Sequence, residues 1–345
     1  MTKPSQSHAL VHQSGHWLLK SFGAIVAFLL LVFFLGPINE FGPSTPSARP
    51  SPPDNTLALD DWLQTSETQW SDIKPGAAKG IVWADQSKQR TEWAVVYLHG
   101  FSASRLETAP VADLVAKQLG ANLFYSRLTG HGRTGPAMAE ASAQDWMADT
   151  LEAVRIGKTL GRKVLLISCS TGSTLAAWLA TTMDANMVDA HVFISPNFGL
   201  KDKRSELING PWGQHIAYAV TGDTISYTSD NPRDALGWTQ SYPTQALFPM
   251  LALVKKVRDS DLSLFKTPVL MMFSEADQTV DPEATKTAFA KLGATEKQLL
   301  PVTFSQSKGQ HVLAGDIRDP KAVEPMVKSI LQWTQQASPS RISND

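Results

Sequence analysis

Ser168-Cys169-Ser170-Thr171-Gly172 stands where the apolar run 164–167 meets the small-residue run 172–180. A serine on a sharp strand-to-helix turn is held in strained, exposed geometry, and only small neighbours fit around it. The pentapeptide therefore reads as a nucleophile elbow with Ser170 at its apex. Ser168 takes the place of the usual first glycine of Gly-x-Ser-x-Gly and is still small enough for strand and helix to approach. Cys169 is the single cysteine of the chain, which excludes an intrachain disulfide framework and any multi-cysteine zinc site. It reads as a small buried filler.

Outward from the elbow, strand and helix patterns alternate. Residues 80–84 and 93–98 read as strands, 108–119 as a helix and 122–128 as a strand. Ser142 and Asp145 form a capping pair that opens a helix running to about Leu160, before strand 163–168 and helix 172–182. Later strands are expected at 191–195, 268–273 and 298–304, with helices at 282–292 and 322–336. This beat predicts a mostly parallel sheet flanked by helices on both faces. It breaks over 197–264, which reads as a helical cap insertion carrying Trp212, Tyr218, Tyr227, Trp238, Tyr242 and Phe248. Stretch 244–257 is amphipathic, and some of the cap aromatics are expected to face the site.

A serine hydroxyl needs a base within hydrogen-bond reach, normally an imidazole oriented by a carboxylate. After the elbow the histidines are His191, His215 and His311. His191 opens a buried strand and His215 falls in the cap, which leaves His311, in the polar loop between the last strand and the final helix. The carboxylate is expected just past strand 268–273, where Glu275, Asp277 and Asp281 compete. N-capping of the following helix accounts for Asp281 before Pro282, Glu275 directly follows the strand, and Asp277 lies in the turn that can aim at His311. The oxyanion needs two donors. The Thr171 N–H follows the nucleophile, and the Phe101 N–H follows the tight turn permitted by Gly100. His99 and His131 read as structural hydrogen-bonding residues.

A chain of 345 residues, 43% of them hydrophobic, can bury a full α/β core. A formal charge of -1 without Lys/Arg blocks argues against nucleic-acid partners. The N-terminus carries an uncharged apolar stretch over 22–35 that, extended past Lys20, predicts a transmembrane anchor, with a cleaved signal peptide as the competing reading. Lys3 and Lys20 precede it, which predicts a cytoplasmic N-terminus over 1–20, an anchor over 21–36 and an exported domain. In a bacterium that means the inner membrane, with the catalytic domain in the periplasm. A Pro-rich linker is expected over 37–56 and the catalytic domain over 57–345.

Taken together, His99-Gly100-Phe101, Ser168-x-Ser170-x-Gly172, Asp277-x-x-Val280 and His311 resemble the α/β-hydrolase superfamily. The loop 128–132 followed by Asp145-Trp146 resembles its monoacylglycerol lipase and carboxylesterase branch. The resemblance covers roughly 80–336. It implies the α/β-hydrolase fold and hydrolysis of carboxylic esters through an acyl-serine, with Ser170, Asp277 and His311 catalytic, a small-molecule ester or lipid substrate, and no cofactor or metal. An aminopeptidase or amidase on the same fold is the alternative, expected to carry an acidic cap site for a substrate ammonium among Glu206, Asp223, Asp230 and Asp234. A catalytically silent binding protein is the third reading. Oligomeric state is not legible.

Overall fold

Seven strands run through the middle of the protein, and the order in which they lie follows from which runs are apolar on both faces. The computed structural model describes residues 7–337, with side chains from Lys20 onward. Its strands are β1 (Gly80–Val82), β2 (Thr91–Leu98), β3 (Asn122–Tyr125), β4 (Gly161–Cys169), β5 (Ala190–Ile194), β6 (Thr224–Ser226), β7 (Ser241–Pro243), β8 (Val269–Phe273) and β9 (Lys297–Pro301). The main sheet has the order β1-β3-β2-β4-β5-β8-β9, with β6 and β7 forming a separate pair. Only β1 is antiparallel to its neighbour in the main sheet; the other pairings are parallel. Parallel strands are covered on both faces, so β2, β4, β5 and β8 read as continuous apolar runs and are buried almost throughout.

The helices are α1 (Ser7–Phe34), α2 (Thr56–Thr68), α3 (Val111–Leu119), α4 (Ala143–Leu160), α5 (Thr171–Ala180), α6 (Gly213–Thr221), α7 (Asp234–Gly237), α8 (Leu247–Arg258), α9 (Pro282–Lys291) and α10 (Val323–Ala337). Two apolar layers sandwich the sheet. One gathers α4, α5 and α8 around Trp146, Leu166, Phe193 and Phe265. The other gathers α3 and α10 around Tyr97, Ile167, Met272 and Ile330. The capping pair holds as expected: Ser142 accepts from the Asp145 N–H, and the Asp145 carboxylate accepts from the Ser142 N–H.

Several boundaries move, two of them for evident local reasons. Strand β3 stops at Tyr125 because the chain turns there, with the Ser126 N–H donating to Tyr97 O at 3.1 Å and the Leu128 N–H to His99 Nε2 at 3.0 Å. The helix expected from Thr108 starts at Val111, after Pro110.

The N-terminus requires a correction. Among the described residues no helix is long and apolar enough to cross a membrane, which overturns the transmembrane helix expected over 21–36 and the inner-membrane, periplasmic location built on it. Side chains of α1 are described from Lys20 to Phe34. The end of α1 is held by the protein. The Trp212 indole N–H donates to Val32 O at 3.2 Å, and the Trp212 backbone N–H donates to Pro37 O at 2.7 Å. The side chains of the expected cytoplasmic segment before Lys20 lie outside the described residues, as does the chain beyond 337. Residues 37–55 have no regular structure and lie along the domain, with Asn39 buried.

Candidate active site

The parallel strands all point their C-terminal ends at one edge, and the turns leaving β2, β4, β8 and β9 meet there. Ser170 sits between β4 and α5 at φ 50°, ψ -117°, a region that side chains other than glycine rarely adopt. Gly172 makes the turn possible: a Cβ there would stand 2.4 Å from Leu98 O and 2.7 Å from His99 O. Ser168 is accommodated by hydrogen bonding, since its buried hydroxyl pairs with the Ser173 hydroxyl at 3.0 Å and Ser173 also donates to Ser168 O at 3.0 Å. The usual glycine is thus replaced by a strand-to-helix hydroxyl clasp.

His311 arrives on the loop after β9. Its Nδ1 lies 2.8 Å from Asp277 Oδ2 and its Nε2 lies 3.0 Å from Ser170 Oγ. That arrangement fixes the tautomer, with Nδ1–H donating to the carboxylate and Nε2 accepting from the serine hydroxyl. Asp277 is 2% exposed, and its other oxygen accepts from the Thr279 and Val280 N–H groups at 2.7 and 2.9 Å. The loop is locked from behind, because Ser195 Oγ donates to His311 O at 2.6 Å and the Gln278 N–H donates to Gly309 O at 2.9 Å.

The two other acids expected to compete for this role lie elsewhere. Glu275 pairs with Lys286 on the surface. Asp281 caps α9, accepting from the Glu283 N–H. The N–H groups of Phe101 and Thr171 have no backbone carbonyl partner among the described residues, and both residues line the cavity over Ser170.

Three histidines are held neutral by burial. The pKa of His99 is pushed down to about 4 and that of His191 to about 3, and His131 lies well below its usual range. His99 ties the β2 turn to the 126–132 loop, and His131 packs edge-to-face against Phe101 and Trp146. Cys169 is fully buried, and burial raises its thiol well above the usual value, which suits an inert filler.

The cavity, about 410 Å³, is walled by Phe101, Tyr227, Trp238, Tyr242, Met250 and Leu200. Of the six insertion aromatics named above, Tyr227, Trp238 and Tyr242 line it, while Trp212, Tyr218 and Phe248 pack elsewhere. None of the insertion carboxylates lines it. Glu206 pairs with Arg258, Asp230 with Lys308 and Asp234 with Arg318, and Asp223 is exposed. Glu107, Asn197 and Arg318 line the cavity without having been expected there. Arg318 carries a signal visible only in three dimensions: it stacks 4.8 Å over Trp238 while paired with buried Asp234.

A protein family described as serine aminopeptidase, S33, matches residues 89–302. The thermostable monoacylglycerol lipase of Bacillus sp. (strain H-257) is 24% identical over 230 residues, covering 67% of this chain and 87% of that protein. A solved structure from work on LipS and LipT, two metagenome-derived lipolytic enzymes, aligns with TM-score 0.62 at 21% identity, over 76% of this chain and 99% of that one. The monoglyceride lipase of Saccharomyces cerevisiae, solved as a soluble variant with a substrate analogue, aligns with TM-score 0.57 at 14% identity, over 75% and 91%.

Proposed function

The chain belongs to the serine aminopeptidase, S33, family within the α/β-hydrolase superfamily, and from that premise we propose that it hydrolyses carboxylic esters through an acyl-serine intermediate on Ser170. The observation that carries the reading is the unbroken chain from Asp277 through His311 to Ser170 at 2.8 and 3.0 Å, opening into an aromatic cavity. Ser170 Oγ attacks the ester carbonyl carbon as His311 Nε2 takes the hydroxyl proton. Asp277 supports the imidazolium through Nδ1–H and keeps its own negative charge. The carbonyl oxygen becomes an oxyanion between the Phe101 and Thr171 N–H groups. Collapse expels the alcohol, which receives the proton from Nε2. Water then attacks the acyl-serine with His311 again as base, releasing the acid and restoring Ser170.

The family description favours a second reading, an aminopeptidase. A substrate ammonium would need a free carboxylate in the cavity; Glu206, Asp230 and Asp234 are committed to Arg258, Lys308 and Arg318, Asp223 is exposed, and Glu107, the carboxyl that does line the cavity, is buried and accepts from the Gly100 N–H and the Tyr97 hydroxyl. The lipase names of its relatives and the aromatic lining support esters of acyl or lipid-like acids instead.

Turnover of 4-nitrophenyl esters of graded chain length, beside an aminoacyl anilide and the Ser170→Ala variant, tests this. Ester turnover is expected to fall by roughly 10⁴-fold or more in Ser170→Ala. Anilide turnover without ester turnover moves the assignment to the aminopeptidase, and undiminished activity in Ser170→Ala removes the nucleophile.

A further inference from the structure

Glu107 is a carboxyl group that the reaction as described does not use, yet it is 2% exposed and borders the same cavity as Ser170. A buried carboxyl needs hydrogen-bonding partners to offset its lost hydration. Glu107 has two on one oxygen: Oε1 accepts from the Gly100 N–H at 2.7 Å and from the Tyr97 hydroxyl at 2.9 Å. The Thr108 hydroxyl donates to the Tyr97 oxygen at 2.7 Å, which leaves the tyrosine proton free for Glu107.

Gly100 stands at the point of contact. A Cβ built there would lie 3.1 Å from Glu107 Oε2 and 3.1 Å from Ser170 Cβ, so the carboxyl, the glycine and the nucleophile are stacked without space between them. A glycine in that position has more rotational freedom than any other residue. The peptide after it is held from the other side, because Gly100 O accepts from His99 Nδ1–H at 2.9 Å and from the Ala103 N–H at 3.3 Å. The N–H of this peptide is that of Phe101, which has no backbone carbonyl partner among the described residues and belongs to a residue lining the cavity.

We propose that Glu107 is a positioning residue for the oxyanion hole: by holding the Gly100 N–H it removes the glycine's rotational freedom and fixes the Phe101 N–H where the oxyanion forms. The inference rests on the reading of Ser170 as nucleophile and Phe101 as donor. A preorganised donor acts without reorganising as charge develops, so the loss of Glu107 is felt in the transition state more than in substrate binding.

The test uses the full chain with Glu107→Ala and Glu107→Gln, measuring kcat and KM for a 4-nitrophenyl ester and the affinity of an arylboronic acid, whose serine adduct is a tetrahedral anion. Gln retains the acceptor oxygen. Glu107→Ala is expected to lower kcat by roughly 10- to 100-fold with KM within about threefold, to weaken boronate binding by a similar factor, and Glu107→Gln to restore both to within about threefold. Glu107→Met fills the volume without an acceptor and takes the place of Ala if that variant does not fold. Wild-type kcat in Glu107→Ala or Glu107→Met, a loss confined to KM, unchanged boronate affinity, or a Gln variant as impaired as Ala would overturn the proposal. Activity surviving in Ser170→Ala marks failure of the underlying reading, whereas an inactive Ser170→Ala beside a wild-type-like Glu107→Ala marks failure of this inference alone.

Discussion

The protein carries two cavities of nearly equal size. One, about 410 Å³, opens over Ser170; the other, about 460 Å³, lies between α2, the 126–132 loop and α4, and is lined by Trp62, Trp70, Arg127, Arg133, Glu67 and Asp149. The second is the larger and the richer in charge, yet its charges are already occupied with one another. Glu67 takes both Arg127 Nε and Nη2 at 2.7 Å and the Lys79 N–H at 3.0 Å, Lys79 Nζ reaches Glu152 at 2.7 Å, and Arg133 stacks 3.9 Å over Trp70 while bridging Asp72 and Glu140. Over Ser170 the position is reversed, with two backbone N–H groups that have no carbonyl partner among the described residues and a hydroxyl aimed at an imidazole. Size and charge therefore do not separate a site from a seam. The Ser170 side differs in keeping hydrogen-bonding capacity unspent at the cavity wall.

The largest effect expected on the Ser170 side, short of removing the serine, comes from Asp277→Asn. It should keep the packing but favour the wrong imidazole tautomer, lowering kcat by roughly 10⁴-fold with an unchanged unfolding midpoint. Steady-state kinetics with paired thermal melts would check it, and a mild loss would erase the contrast between the two cavities.

On the other side, Glu67→Ala should do the opposite. It strands Arg127, costing about 3–5 kcal/mol of stability, while the folded fraction keeps its kcat. Denaturant unfolding followed by active-serine titration separates the two quantities.

The smallest effect sharpens the comparison through pH. Burial lifts the pKa of Asp149 from 3.8 to about 6, against the pull of Arg49 and the Thr129 donors. A carboxyl raised in the folded state binds protons more tightly there, so its contribution is full below pH 4 and is lost as pH rises to about 6. Relative to Asp149→Asn, the wild type should therefore lose stability across that window, by on the order of 2–3 kcal/mol, and run parallel to the variant above it. Urea unfolding at pH 4, 5, 6 and 7.5 would show it, and parallel curves throughout would place the Asp149 carboxyl in water.

Much of this was legible before any coordinates. Apolar runs such as 164–167 and 269–273 announce strands buried on both faces, and chain order alone brings Ser170, Asp277 and His311 into one line of argument. Glu107 was not legible, because its partners are a backbone N–H and a tyrosine hydroxyl, and a polar residue in a turn looks the same in sequence whether exposed or buried. The second cavity escaped for a similar reason: Glu67 and Arg127 are far apart in the chain and meet only after α2 packs on α4 and β1. Composition overreached at the N-terminus, where an apolar stretch was read for a bilayer although the end of α1 is held by Trp212.

The strap that follows α1 has a mechanical meaning. Asn39 donates to Phe248 O at 2.9 Å and to Asn209 Oδ1 at 3.0 Å, and accepts from Gln214 at 3.1 Å, while further along Gln144 on α4 donates to Phe41 O and Pro43 O. One peptide thread is thereby stitched at one end to the insertion that roofs the cavity over Ser170 and at the other to α4 beneath. A lever arm built this way lets force applied near residue 39 reach the insertion without passing through the sheet, and an outward swing of the roof by more than a hydrogen bond's length must first unpick those stitches.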